Sequence, residues 1–260
     1  MAPKIGIIGG TGVYNPDILT GVREEILDNA YGQAKVAIGT YLGTEIVFLA
    51  RHGATHSVPP HLVNYRANIW ALKELGVERV LATAAVGSLN EGMAPGSFVL
   101  VDQFLDFTKN RLSTFFDGGE LGVTHTDMTN PYCANLREVL AEAAKPLDIT
   151  VHKTGTYVCT EGPRFETPAE IRMYKIFGGD LVGMTSVPEV VLAREAGICY
   201  ATIAMVTNFA AGISPVELTH KEVLEVMAAN GENLSNLLMK TVEKIPRIRN
   251  CKCGNYEGAV

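Results

Sequence analysis

The stretch KIGIIGGTGVYN, Lys4 to Asn15, sets an apolar run against a glycine cluster. Lys4 to Gly9 reads as a buried strand, and the glycines after it make a turn at the strand's end. Two phosphate-binding templates fail here. A G-x-G-x-x-G match beginning at Gly10 needs glycine where Asn15 stands, and a P-loop needs a Gly-Lys pair that the segment lacks. Two readings survive. The amides and the Thr11 hydroxyl surround an anion, as nests of backbone N–H groups do, or the loop is a tight turn without a ligand.

Outward from this strand, short apolar runs alternate with helical periodicity, the pattern of an α/β fold. Val36 to Ala50 reads as two strands turning at LGTE, and Val63 to Leu75 as a helix ended by Gly76. Val80–Val86, Phe98–Gln103, Thr154–Thr160 and Tyr200–Thr207 read as further strands. Helices are expected at Pro131–Lys145, Pro168–Ile176, Val187–Ala196 and His220–Ile245. Thr167 with Glu170, and Thr219 with Glu222, have capping-box spacing. With no repeat and no linker, the expectation is a single domain over 1–248, a mixed central β-sheet flanked by helices, followed by a flexible tail at 249–260.

Composition narrows the function classes. At 260 residues and 47% hydrophobic, the chain can bury a large core. Its 22 basic and 28 acidic residues give −6 and no basic run, against a nucleic-acid partner. No apolar stretch reaches the roughly 18 residues of a membrane span, so a cytoplasmic protein without membrane contact is expected. Five cysteines, an odd number, suit a reducing compartment. Cys159 and Cys199 lie in apolar runs and should be buried. The Cys251-x-Cys253 pair reads as metal ligands, as a strained Cys251–Cys253 bridge or as part of a flexible tail. Without a second pair or histidine partners it carries little weight as a zinc signal; the flexible tail comes first, and no metal is expected.

Four more segments carry chemistry. Arg51 and His52 follow a strand in LARHGATHSVPP, where α/β folds place ligands, and pair a planar fork suited to phosphate with a titratable donor. His52, His56 and His61 lack the helical spacing and nearby carboxylates of a metal site. In YVCTEGPRFETPAEI a strand runs into Glu161, Arg164, Phe165 and Glu166. Carboxylates beside an aromatic ring suit a ligand ring bearing N–H donors, and an internal Glu161–Arg164 ion pair is the plainer reading. Met184-Thr185 ends a strand and opens a helix, and Asn208, at the end of CYATIAMVTN, presents a donor and an acceptor.

Taken together, these segments resemble the trimeric purine nucleoside phosphorylases, in particular their methylthioadenosine phosphorylase branch. The resemblance runs through GIIGGTG, ARHG, NYRANIWALKELG, EGPRFET, MTSVPEVVLAREAGICYA and VTN, nearly the whole chain. It implies phosphorolysis of a purine nucleoside to free base and ribose 1-phosphate, with inorganic phosphate as co-substrate and no cofactor. It implies a phosphate site of Thr11, Arg51, His52, Ala84, Ala85 and Thr185, with Met184 against the sugar and Phe165 against the base. It also implies a homotrimer or homohexamer, with His56 reaching a neighbour's sugar pocket.

Departures from that branch bear on the base. Where methylthioadenosine phosphorylases have ATDYD, this chain has VTNFA, with Asn208, Phe209 and Ala210. Asn208 can donate to O6 and accept from N7–H, and Glu166, standing in place of a small serine, can accept from N1–H and a 2-amino group. The implied catalytic set is Asn208, Glu166 and His52, for guanosine or inosine. His220 falls where the methylthio branch has an apolar residue and would bond a 5′-hydroxyl, or else is a surface residue at a helix start. Methylthioinosine phosphorolysis is the nearest rival, with methylthioadenosine phosphorolysis beside it as the alternative. A hydrolytic nucleosidase and a non-catalytic nucleoside sensor are further readings, both disfavoured by the pairing of Arg51-His52 with Thr185.

Overall fold

In a computed structural model of the chain, residues 4–10, 18–53, 57–213 and 219–255 are described. The strands are β1 (Lys4–Gly9), β2 (Thr20–Asn29), β3 (Gly32–Tyr41), β4 (Thr44–Ala50), β5 (Val77–Ser88), β6 (Phe98–Leu100), β7 (Gln103–Phe107), β8 (Val151–His152), β9 (Thr156–Thr160), β10 (Leu181–Gly183) and β11 (Cys199–Phe209). The helices are α1 (Tyr65–Glu74), α2 (Ala134–Ala144), α3 (Pro168–Ile176), α4 (Ser186–Glu195) and α5 (His220–Lys244). The strands form one mixed sheet in the order β2-β3-β4-β1-β5-β10-β9-β7, with β11 joining β5 to β6 and β6 pairing β8. This is the α/β single domain expected.

The centre forms where strands are apolar on both faces. β1, β5 and β11 are almost wholly buried, as parallel strands covered by helices on both sides must be. One apolar cluster unites β1, β5 and β11 with α1 and α4, and a second packs α2 and α5 on the opposite face. Helix α1 starts where the Asn64 side chain accepts the Ala67 N–H, and the chain leaves it through Gly76 at φ +74°. Thr167 and Glu170 close a full capping box on α3, whereas at α5 the structure gives the Thr219 acceptor for the Glu222 N–H.

Two expectations change. β2 and the two-residue β8 lie outside the expected strands; β2 is exposed and, among the described residues, pairs only with β3, so it carries no apolar alternation. The strand expected at Phe98–Gln103 is two strands. The chain switches partner at Val101 and Asp102, whose N–H groups go to Thr202 and Gly155 carbonyls, taking β6 to β11 and β7 to β9. Of the tail expected at 249–260, the described residues through 255 pack down, with Cys253 buried and Arg249 donating to the Gly197 carbonyl at 2.9 Å.

Candidate active site

Strand β5 is paired along one edge by β11 from Arg79 to Ser88. Its other edge is shared: β1 pairs it up to Ala82, and β10 pairs it only at Gly87 and Ser88. Thr83 to Val86 therefore have no strand partner on that side among the described residues. Here Ala85 is exposed in a strand otherwise buried or nearly so. This gap in pairing lies beyond the carboxyl end of β1, where open α/β sheets place their ligand sites.

Arg51 leaves β4 into this gap. Its N–H is tied to the Gly9 carbonyl, and its Nη1 donates to the Thr83 carbonyl at 2.9 Å. Since alternate residues of a strand turn their amides to the same edge, Ala85 presents its N–H where Thr83 presents its carbonyl. The rest of the Arg51 fork is gripped by Glu189 of α4, with Nε–Oε1 at 2.5 Å and Nη2–Oε2 at 2.8 Å, both side chains almost fully buried. Burial alone would favour loss of the Arg51 proton, but the charge and hydrogen bonds of Glu189 outweigh it and raise its proton affinity. Tyr200 Oη donates to Glu189 Oε2 at 2.7 Å. Arg51 has five N–H donors, and these bonds use three.

Beside Arg51, His52 is buried, with Nδ1 2.8 Å from the Val58 carbonyl, a partner that places a proton on Nδ1. Thr185 stands at the N-cap of α4 without capping it, and its N–H donates to Tyr157 Oη at 3.2 Å. Arg111 holds the neighbouring segments together: it donates to the carbonyls of Met184, Thr160 and Glu161 and lies 3.3 Å from Tyr65 Oη. Met184 is half-buried. Gly162, at φ +66°, passes so close that a Cβ there would stand 2.5 Å from the Met184 sulfur.

Glu166 and Asn208 are both buried. Glu166 Oε1 accepts from Thr160 Oγ1 at 2.7 Å, and burial, partly offset by that bond, raises its proton affinity above the ordinary carboxylate range. Asn208 owes its direction to a bulge: Val206 faces Val86 and Asn208 faces Gly87, leaving Thr207 without a register partner. Thr207 Oγ1 donates to Asn208 Oδ1 at 2.8 Å, and Asn208 Nδ2 donates to the Phe209 carbonyl at 2.9 Å. The chain then turns through buried Ala210 to Gly212, where a Cβ would lie 2.8 Å from that of Pro168. That close approach brings the end of β11 to the loop carrying Glu166. Phe165, on the same loop, is 41% exposed.

Glu161 and Arg164 do not pair with each other. Glu161 accepts from the Lys109 N–H and faces Arg111, and Arg164 forks onto Glu170. Glu189, Arg111, Tyr65 and Tyr200 were not singled out from the sequence. Glu189 had a signal: a carboxylate inside the apolar run SVPEVVL needs a buried partner. Thr11 and His56 lie outside the described residues, as does the side chain of His220.

The profile of the Phosphorylase superfamily matches residues 4–243. A protein of Moorella thermoacetica named as a probable 6-oxopurine nucleoside phosphorylase is 62% identical over 257 residues, covering 99% of each chain. An S-methyl-5′-thioadenosine phosphorylase of Thermofilum pendens is 51% identical over 252 residues, covering 96% of this chain and 95% of its own. Among solved structures, methylthioadenosine phosphorylase from Schistosoma mansoni in complex with adenine superposes with a TM-score of 0.87 at 38% identity, covering 93% of this chain and 91% of that one.

Proposed function

The chain belongs to the phosphorylase superfamily, and on that premise we propose that it cleaves 6-oxopurine nucleosides, inosine and guanosine, with inorganic phosphate, giving free base and α-D-ribose 1-phosphate. Phosphate sits at the open edge of β5, held by the two remaining Arg51 N–H groups, the Ala85 amide with Ala84 behind it, His52, Thr185 and Thr11. Because Glu189 already cancels the Arg51 charge, the anion is bound through directed N–H and O–H groups as much as by net charge. A phosphate oxygen attacks C1′ as the C1′–N9 bond breaks and its electron pair passes to the purine. Catalysis is positioning plus stabilisation of the charge that develops on the base.

The observation that carries the choice of base is what Asn208 has left to offer. One amide N–H and one carbonyl lone pair are taken within the chain, leaving one donor for O6 and one acceptor for N7–H. Glu166 keeps Oε2 for N1–H. Phe165 and Phe209 flank the base, Ala210 backs it, Met184 packs on the ribose, and His220 meets the 5′ group. The test is a phosphorolysis assay across inosine, guanosine, adenosine, methylthioinosine and methylthioadenosine, with and without phosphate. Turnover of inosine and guanosine that stops without phosphate is expected. Full activity in phosphate-free buffer would make the chain a hydrolase, binding without turnover would make it a sensor, and methylthioinosine ahead of inosine would give His220 an apolar pocket instead.

Glu166 makes the reaction pH-sensitive in a stated direction. Once protonated it presents a donor toward a purine N1–H that also donates, so inosine binding weakens as pH falls through its raised pKa. The kcat/KM profile should show an acid limb above the ordinary carboxylate value, about 4.3, that Glu166→Gln removes while lowering the plateau. An acid limb unchanged in Glu166→Gln would assign it to another group.

The assembly belongs to the same proposal: a homotrimer, or a dimer of trimers. Leu112, next to Arg111, and Leu62 are each 66% exposed and offer apolar surface beside the site for a second subunit. Sedimentation velocity showing a fully active monomer would refute this.

A further inference from the structure

Cys251 and Cys253 sit on the C-terminal segment, Cys133 at the N-cap of α2 and Cys199 at the first residue of β11. Folding brings all four sulfurs within 4.8 Å of one another, the one grouping of three or more metal-ligating side chains among the described residues. The partners that a lone C-x-C lacks in sequence are thus supplied by two distant elements. We propose that Cys133, Cys199, Cys251 and Cys253 form a tetrathiolate site for one Zn²⁺ that clamps the C-terminal segment onto the sheet.

The spacing suits a metal. Zinc–thiolate bonds of about 2.3 Å in a tetrahedron put the sulfurs about 3.8 Å apart, so sulfurs already within 4.8 Å need move by about 1 Å or less. Cys199 Sγ and Cys251 Sγ are 3.3 Å apart, well beyond the roughly 2.05 Å of a disulfide, and all four thiols are free. Three are buried and Cys251 is half-buried, so the site is closed, as structural zinc sites are.

The backbone holds the ligands in place independently of any metal. Cys133 N–H donates to the Tyr200 carbonyl at 2.9 Å, joining the first two ligand segments. Arg79 Nη2 donates to the Pro246 carbonyl, and Arg249 Nη1 to the Gly197 carbonyl, pinning the chain just before Cys251. Four thiolates and one Zn²⁺ sum to −2; Arg194 Nη1 lies 3.8 Å from Cys253 Sγ, and the adjoining cavity is lined by Arg79, Lys244 and Arg249 together with Glu138 and Glu142. That cavity, about 520 Å³, is bordered by Cys133, Cys199 and Cys251 and gives an entry path. An all-sulfur tetrahedral set selects zinc over harder cations. Binding releases the thiol protons to the buffer and changes no oxidation state.

This site is separate from the nucleoside site, so its test does not depend on the function proposed above. Protein purified under reducing conditions should carry one zinc per chain by inductively coupled plasma mass spectrometry. Metal-stripped wild-type protein titrated with Co²⁺ should develop the intense visible absorption of a tetrahedral thiolate complex, saturating at one equivalent. Cys251→Ser and Cys253→Ser should lose the metal and melt at lower temperature, with kcat/KM at assay temperature unchanged. Wild-type protein that takes up neither zinc nor Co²⁺ in the reduced state would overturn the proposal. So would intact protein whose mass is short by four hydrogens, the signature of two disulfides, or iron in place of zinc. The Co²⁺ titration uses the native sequence, so a variant that fails to fold leaves the result decisive.

Discussion

Arg51→Met is expected to cost about 3–5 kcal/mol of stability and to abolish useful phosphorolysis. Glu189 is 1% exposed, and without Arg51 it is a buried carboxylate left, among the described residues, with the Tyr200 hydroxyl. A melt of this single variant would confuse a binding defect with a folding defect. The pair Arg51→Met and Glu189→Met separates them. Removing both charges takes away the desolvation cost along with the attraction, so the double variant should recover most of the stability, less about 1 kcal/mol for the orphaned Tyr200 hydroxyl. If Arg51 holds phosphate, activity does not recover with stability. The charge-assisted bonds to the anion are gone, and kcat/KM for phosphate should stay down by roughly 30- to 150-fold. Urea unfolding and phosphate-saturation kinetics on the three proteins read both quantities. A double variant with wild-type phosphate kinetics would reduce Arg51 and Glu189 to a structural ion pair.

Asn208→Asp is expected to compress base selectivity more than any other single change. A site whose polar groups match O6, N7–H and N1–H rejects a 6-amino purine by about 10⁴-fold, since the mismatch leaves buried groups unpaired. The carboxylate keeps the acceptor that Thr207 Oγ1 addresses but loses the N–H that serves the Phe209 carbonyl, and it sets a negative oxygen against O6. Inosine should lose about 10²-fold in kcat/KM, roughly 3 kcal/mol, while adenosine gains an acceptor for its amine. Glu166 still expects N1–H, so the switch stays incomplete. The ratio of kcat/KM for inosine and adenosine, measured in both proteins, decides it. A ratio that Asn208→Asp leaves unchanged would place base recognition elsewhere.

Much of the fold was legible in the sequence because burial writes itself into composition. β1, β5, β11, α1 and α3 stand out because their apolar residues face a core on one or both sides, and Thr167 with Glu170 announces the start of α3 within three residues of chain. β2 left no such mark. Its register with β3 is held by backbone bonds, and its charged side chains face outward. The candidate residues that follow strands, Arg51, His52, Thr185 and Asn208, could likewise be singled out, because ligand chemistry needs particular side chains at strand ends.

Only the tertiary structure decided what those residues face. That Arg51 is gripped by Glu189, across 138 residues of chain, follows from helix α4 packing against α1, β9 and β11, and no local pattern encodes a pairing at that separation. The bulge at Thr207 turns Asn208, and Arg111 closes the site from a loop with no motif of its own. The same limit explains the cysteines. Read along the chain, Cys251 and Cys253 are a pair on a tail. Folded, they stand beside Cys133 and Cys199, because the packing of α2 against α5 and the start of β11 brings three remote segments to one point. Local sequence determines which elements form and which side chains they carry. Long-range packing determines which charges meet in a low dielectric, where a partner's identity rather than its nearness in sequence sets the energy.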